Sequence, residues 1–180
     1  MKVVLVGYMG SGKTTTGRLL AESLAIPFID LDHYISENHE MSVTDLFKTK
    51  GAVFFRKAER EALIHLGNSE DSFVLSTGGG TPCFGDNMEK MKAFTNSVVV
   101  YLKLSIPELV TRLEDEMDQR PLIAGLDKAQ LPEFLGKHLF ERAPFYEQAH
   151  LVVPALGQVP NEISQKILSK ITQLQETLVK

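Results

Sequence analysis

Gly7-Tyr8-Met9-Gly10-Ser11-Gly12-Lys13-Thr14 reads G-x-x-x-x-G-K-T, the pattern of a phosphate-binding loop. Val3-Val4-Leu5-Val6 precedes it, a short apolar run rich in β-branched residues that suits a buried strand. Leu19, Leu20 and Leu24 follow at helical spacing. The motif therefore stands where it works, between a strand and a helix. Glycines let successive backbone N–H groups turn into one concavity, and the helix start adds unpaired N–H groups and the positive end of its dipole. Within this loop, Gly10, Ser11, Gly12 and Thr15 are candidate phosphate contacts. Lys13 supplies a mobile cation for the outer phosphates, and Thr14 a hydroxyl for a magnesium ion.

Outward from the loop, short apolar segments alternate with helical patterns. Strands are expected at 2–6, 27–30, 73–76, 98–103 and 151–153. Helices are expected at 13–24, 33–40, 53–66, 86–94, from 105 onward, at about 130–148, and over a last segment. That last helix carries Ile163, Ile167, Ile171, Leu174 and Leu178 on one face. Ser42-Val43-Thr44-Asp45 opens a further helix with a capping box that Gly51 ends. Ser105 suits the N-cap of its helix, and Pro107 the first turn. The order predicts an α/β protein with a five-stranded parallel sheet covered on both faces. Ligands of such sheets bind beyond the C-terminal strand ends. The phosphate loop, Asp30-Leu31-Asp32 and Thr77-Gly78-Gly79-Gly80 all lie at expected strand ends, so they should converge.

With 180 residues, the chain fits one domain with small inserted segments. Its net charge is −4 and its longest basic run is Arg56-Lys57, which excludes the electrostatic footprint of a nucleic-acid binder. Anionic ligands must be met by local concentrations of positive charge. Cys83 is the single cysteine, so no internal disulfide is possible; a small buried filler is its default reading. The opening apolar run is too short for a signal peptide, and no stretch approaches a membrane span. A soluble cytoplasmic protein is expected. The five histidines show no metal-ligand spacing.

The D-x-D of Asp30 and Asp32 fits metal and proton work, or merely an acidic helix start. The triple glycine fits close approach to a ligand, or a flexible loop. Arg56, Arg120 and Arg142 fit bidentate binding of carboxylate or phosphate, or plain surface charge. Residues 114–129 are polar, with Glu114, Asp115, Glu116 and Asp118 close to Arg120, and read as an exposed mobile lid.

Taken in order, G-Y-M-G-S-G-K-T, I-D-L-D, G-x-x-x-F-R-x-x-E (Gly51 to Glu59), S-T-G-G-G, R-P-L and E-R-A-P-F-Y resemble the shikimate kinase family, within the nucleoside-monophosphate-kinase-like P-loop group. The resemblance spans nearly the whole chain. It implies a three-layer P-loop fold, with a substrate-binding segment at about 31–62 and a lid at about 113–127. It further implies transfer of a phosphoryl group from ATP, with Mg²⁺, to the 3-hydroxyl of shikimate by a monomer. By the same resemblance Asp30 and Thr14 serve the metal, and Asp32 contacts the acceptor hydroxyls as candidate base. Arg56, oriented by Glu59, and Arg142 grip the substrate carboxylate, and Gly78, Gly79 and Gly80 line the substrate. Arg120 closes over the phosphates with Lys13, while Arg112 and Pro160 take adenine-side positions. Where the family often has Glu, this chain has Ala52. A rival reading is a kinase of the same fold for another small hydroxy acid such as gluconate. A nucleotide switch is disfavoured by the lack of D-x-x-G and N-K-x-D, and a non-catalytic binding module by the intact Lys13, Thr14, Asp30 and Asp32.

Overall fold

The computed structural model describes residues 1–178. Five strands, β1 (Lys2–Val6), β2 (Phe28–Asp30), β3 (Phe73–Ser76), β4 (Ser97–Lys103) and β5 (Leu151–Pro154), form one sheet in the order β2-β3-β1-β4-β5. Every pairing is parallel. β1 lies at the centre, with Val4 level with Leu75 on one side and Val99 on the other. Because helices cover both faces, the inner strands need no polar face, and Val3–Val6, Phe73–Leu75 and Val98–Leu102 are buried throughout.

The helices are α1 (Lys13–Leu24), α2 (Leu31–His39), α3 (Val43–Asn68), α4 (Asn87–Lys92), α5 (Ile106–Leu113), α6 (Leu131–Tyr146) and α7 (Pro160–Leu178). α1 packs on α7 and on the β1–β3 side of the sheet, and α3 packs on α2 and α4. Ile163, Ile167 and Ile171 of α7 are buried as their spacing requires, and Leu174 is half-buried; the side chain of Leu178 lies outside the described residues. Lys2 is a buried cation whose ammonium donates to the carbonyls of Gly67 (2.7 Å) and Ser69 (2.6 Å), tying β1 to the end of α3.

One local boundary differs from the sequence reading. α2 begins directly at Leu31, because Asp30 is its N-cap and accepts from the Asp32 and His33 amides (3.2 and 3.4 Å). α3 comprises the two helices expected on either side of Gly51, whose non-helical φ of 81° and ψ of 170° end the first at a kink where the second begins. The expected caps are present: Ser42 accepts from the Asp45 amide (3.1 Å), and Glu108 reaches back to the Ser105 amide (3.4 Å). Among the described residues no helix is long and apolar enough to cross a membrane.

The segment between α5 and α6 carries exposed polar side chains, as its composition predicts. Met117 and Ile123 are nevertheless buried, so two apolar anchors pin it to the core.

Candidate active site

The phosphate loop leaves the central strand and turns into α1 at Gly12, whose φ of 86° is left-handed. Lys13 is 8% exposed and folds back over this loop. Its ammonium donates to the carbonyls of Gly7 (2.9 Å) and Tyr8 (2.8 Å), with Ser11 Oγ at 3.5 Å. Burial pulls its pKa down to about 8, against the opposing pull of Asp32; nearby Arg120 depresses it further. Arg112, from α5, donates to the Gly10 carbonyl (3.4 Å).

These groups line a cavity of about 450 Å³, with Gly10, Gly12, Thr14, Thr15, Asp30 and Arg120 in its wall. Thr14 Oγ1 donates to Asp30 Oδ2 (3.1 Å) and lies 3.5 Å from Ser76 Oγ. Asp30 divides its work, with Oδ1 capping α2 and Oδ2 facing Thr14. A hydroxyl and a carboxylate side by side are the hard oxygen donors that Mg²⁺ prefers. Among the described residues no cluster of three His, Cys, Asp or Glu stands ready for a metal.

A second cavity, about 590 Å³, adjoins the first. Arg56 and Glu59 reach it from α3, Gly78–Gly80 from the β3 end, Arg142 from α6 and Arg120 from the lid segment. Met9, Asp32, Gly78, Gly79 and Arg120 line both cavities, so the two meet across them. Glu59 is fully buried; one carboxylate oxygen accepts from Arg56 Nη1 (2.5 Å) and the other from Thr81 Oγ1 (2.5 Å). The Arg56 guanidinium also stacks 4.0 Å from the Phe84 ring centroid, which fixes its plane. Arg142 lies 5.8 Å over the Tyr8 ring, and the Tyr8 hydroxyl is 2.7 Å from His138 Nδ1.

Asp32 stands at the junction. Burial pushes its carboxyl up to about 6; the carboxylates of Asp30 and Glu59 add to the rise, and Lys13 and Arg56 oppose it. The triple glycine runs beside it as a tight wall. A Cβ added at Gly78 would meet Thr81 Oγ1 at 3.0 Å, one at Gly79 the Met9 amide nitrogen at 3.3 Å, and one at Gly80 Arg56 Nη2 at 3.0 Å. Tyr146 holds this wall from α6, donating its hydroxyl to the Gly79 carbonyl (2.5 Å).

Not every expected contact joins the site. Pro160 starts α7 and lines neither cavity, and Ser11 is buried within the loop instead of facing the cavity. Ala52 is exposed on α3 and also lines neither. Cys83, next to the glycine wall, is half-buried, and burial pushes its thiol up. Ser76, Thr81, Tyr146 and Glu116 also stand at the site, although no role was expected of them. Ser76 and Tyr146 fall inside the S-T-G-G-G and E-R-A-P-F-Y motifs and Thr81 follows the glycines, so position could have pointed to them; Glu116 is one of four acidic residues beside Arg120, and nothing local singles it out.

A family model described as shikimate kinase matches residues 9–172. The shikimate kinase of Flavobacterium psychrophilum is 42% identical over 166 residues, covering 92% of this chain and 96% of its own. The 1.7 Å crystal structure of shikimate kinase from Bacteroides thetaiotaomicron has a TM-score of 0.82 at 40% identity, covering 100% of this chain and 99% of that one. A structure of the enzyme from Acinetobacter baumannii in complex with shikimate has a TM-score of 0.85 at 33% identity, covering 96% of this chain and 93% of its own. By family match, sequence identity and fold alike, this chain belongs to the shikimate kinase family.

Proposed function

We propose that the protein transfers the terminal phosphoryl group of ATP to the 3-hydroxyl of shikimate, giving ADP and shikimate 3-phosphate. Membership of the family makes it a kinase that uses ATP and acts on a small molecule. The observation that carries the choice of acceptor is the second cavity. Two arginines, Arg56 and Arg142, line it together with Asp32, and it opens onto the cavity that holds Lys13. Paired arginines suit a carboxylate, and a carboxylate held there leaves a hydroxyl of the same ring to meet Asp32.

In this reading Gly10, Gly12, Lys13, Thr14 and Thr15 hold the polyphosphate, with Arg112 on the adenine side. Thr14 and Asp30 hold Mg²⁺, which when bound neutralises phosphate charge. Arg56 and Arg142 orient the acceptor, and Glu59 keeps Arg56 aimed. Asp32 accepts the hydroxyl proton; its raised pKa makes it a stronger base than an ordinary aspartate while leaving it mostly ionised at neutral pH. Lys13 and Arg120 stabilise the charge that develops on the transferring group. Residues 31–62 serve as the substrate-binding segment and 113–127 as the lid, supported by Phe55 and Arg56 from the first and Pro121 and Leu122 from the second, which all line the acceptor cavity. The reading extends to a cytoplasmic monomer.

The test is a coupled assay of ADP release with shikimate, gluconate and other hydroxy acids, with and without Mg²⁺. Turnover confined to shikimate, Mg²⁺-dependent and yielding the 3-phosphate by NMR, is expected. Equal turnover of gluconate would overturn the assignment of the acceptor cavity.

A further inference from the structure

Arg120 is already occupied. Its Nη2 and Nε donate to the same carboxylate oxygen of Glu116, at 2.6 and 3.2 Å. Both side chains line the Lys13 cavity. Both ends of the pair stand on the anchors of this segment. The Glu116 amide is bonded to the Leu113 carbonyl at the end of α5 (3.0 Å), and the next residue, Met117, is buried. The Arg120 amide is bonded to the Met117 carbonyl (3.0 Å), and the Arg120 carbonyl accepts from the amide of buried Ile123 (2.9 Å). The difference is one of reach: Glu116 lines the Lys13 cavity, and Arg120 lines both cavities.

As a brace the pair is worth little. Arg120 and Glu116 are 37% and 45% exposed, and ion pairs that open to water contribute about 0–1 kcal/mol. Its location is more telling than its strength, because it puts an anion inside a cavity built for polyphosphate. A polyphosphate brings more charge than one carboxylate, and its oxygens can take both arms of a guanidinium as a carboxylate does.

We propose that Glu116 is a positioning residue for phosphoryl transfer, an exchangeable carboxylate that holds Arg120 at the phosphate cavity and surrenders it to the terminal phosphate of ATP. The inference rests on the reading of Arg120 as a phosphate ligand. Glu116 then sets a toll on nucleotide binding that the acceptor does not feel. Because the exchange is with the terminal phosphate, ATP bears it more than ADP.

The experiment measures KM for ATP and for shikimate, with Kd for ADP and a non-hydrolysable ATP analogue, in Glu116→Gln, Arg120→Gln and the double variant. Glu114→Gln and Asp118→Asn serve as charge-matched controls. Glu116→Gln is expected to lower KM for ATP about fivefold, equivalent to releasing an ion pair of about 1 kcal/mol. KM for shikimate should stay put, ADP should change less than the ATP analogue, and the gain should vanish in the Arg120→Gln background. A gain that persists without Arg120, or appears equally in the controls, means general charge repulsion and overturns the exchange. If Arg120→Gln impairs ATP turnover while Glu116→Gln changes nothing, the exchange alone fails. If Arg120→Gln leaves ATP kinetics intact, the assignment of Arg120 to phosphate fails with it.

Discussion

Arg56 and Glu59 lie one helical turn apart on α3 with Nη1 and carboxylate 2.5 Å apart, Arg56 partly open to the acceptor cavity and Glu59 fully buried. The carboxylate takes its second bond from Thr81, so the arginine that faces the acceptor is fastened to the far end of the glycine wall. Glu59→Gln keeps the shape but removes the charge that aims Arg56. KM for shikimate is expected to rise about tenfold, the loss of one charge-assisted hydrogen bond. KM for ATP should be unchanged, and steady-state kinetics with each substrate varied checks the split.

The wall itself allows two insertions to be told apart. A Cβ at Gly80 would press on the Arg56 guanidinium at 3.0 Å, whereas one at Gly79 would press on the Met9 amide at 3.3 Å and the Gly7 carbonyl at 3.6 Å. Gly80→Ala should therefore raise KM for shikimate alone. Gly79→Ala pushes the wall off the phosphate loop and should weaken both substrates, which the same kinetic comparison reads.

Asp32 and Lys13 bound the working pH range. The proposed base must be ionised, and Asp32 titrates at about 6, so kcat/KM for shikimate should fall as pH drops below that value. Lys13 must be charged and is drawn down to about 8, so kcat/KM for ATP should fall above it. Pre-steady binding of each substrate across pH 5–9 assigns the two limbs.

The same carboxylate carries a cost to the fold. Its pKa in the folded chain lies above the ordinary 3.8, so ionised Asp32 destabilises the protein at neutral pH by up to about 3 kcal/mol. The cost is complete above about pH 6 and absent below the unfolded value. Asp32→Asn should thus unfold at a higher temperature than the parent at pH 7, with the gap closing toward pH 4, while losing most turnover. Thermal melts at both pH values check it.

Asp30 separates a helix cap from a metal ligand. Asp30→Asn retains an oxygen for the α2 amides that Oδ1 now caps but loses the charge beside Thr14. The half-saturating Mg²⁺ concentration should rise about tenfold with little change in melting temperature, as expected for loss of one anionic ligand. A Mg²⁺ titration of turnover, with a melt at fixed Mg²⁺, reads both.

Much of this site was legible because its chemistry sits in contiguous motifs at strand ends. Lys13, Thr14, Asp30, Asp32 and the glycines lie where the chain leaves a parallel strand, and periodicity located those strands. Arg56 and Arg142 were recognisable from their flanking residues, but their meeting in one cavity depends on how α3 and α6 pack, which no local pattern encodes. Tyr146 lay inside the E-R-A-P-F-Y motif and Glu116 in the acidic lid, but neither had a role assigned for the same reason: the bond of Tyr146 to Gly79 and the place of Glu116 in the Lys13 cavity depend on packing. Pro160, expected on the adenine side, opens α7 and lines neither cavity; a proline after a loop marks a helix start whichever way that start faces.

The floor shared by the two cavities has a practical consequence. The cavity over Lys13 and the cavity lined by Arg56 and Arg142 adjoin, with Met9, Asp32, Gly78, Gly79 and Arg120 in the lining of both. A single inhibitor that tethers an adenosine polyphosphate to an acceptor analogue can therefore engage both halves at once. With a linker matched to the gap, such a bridging compound gains a factor on the order of 10²–10⁴ over either fragment.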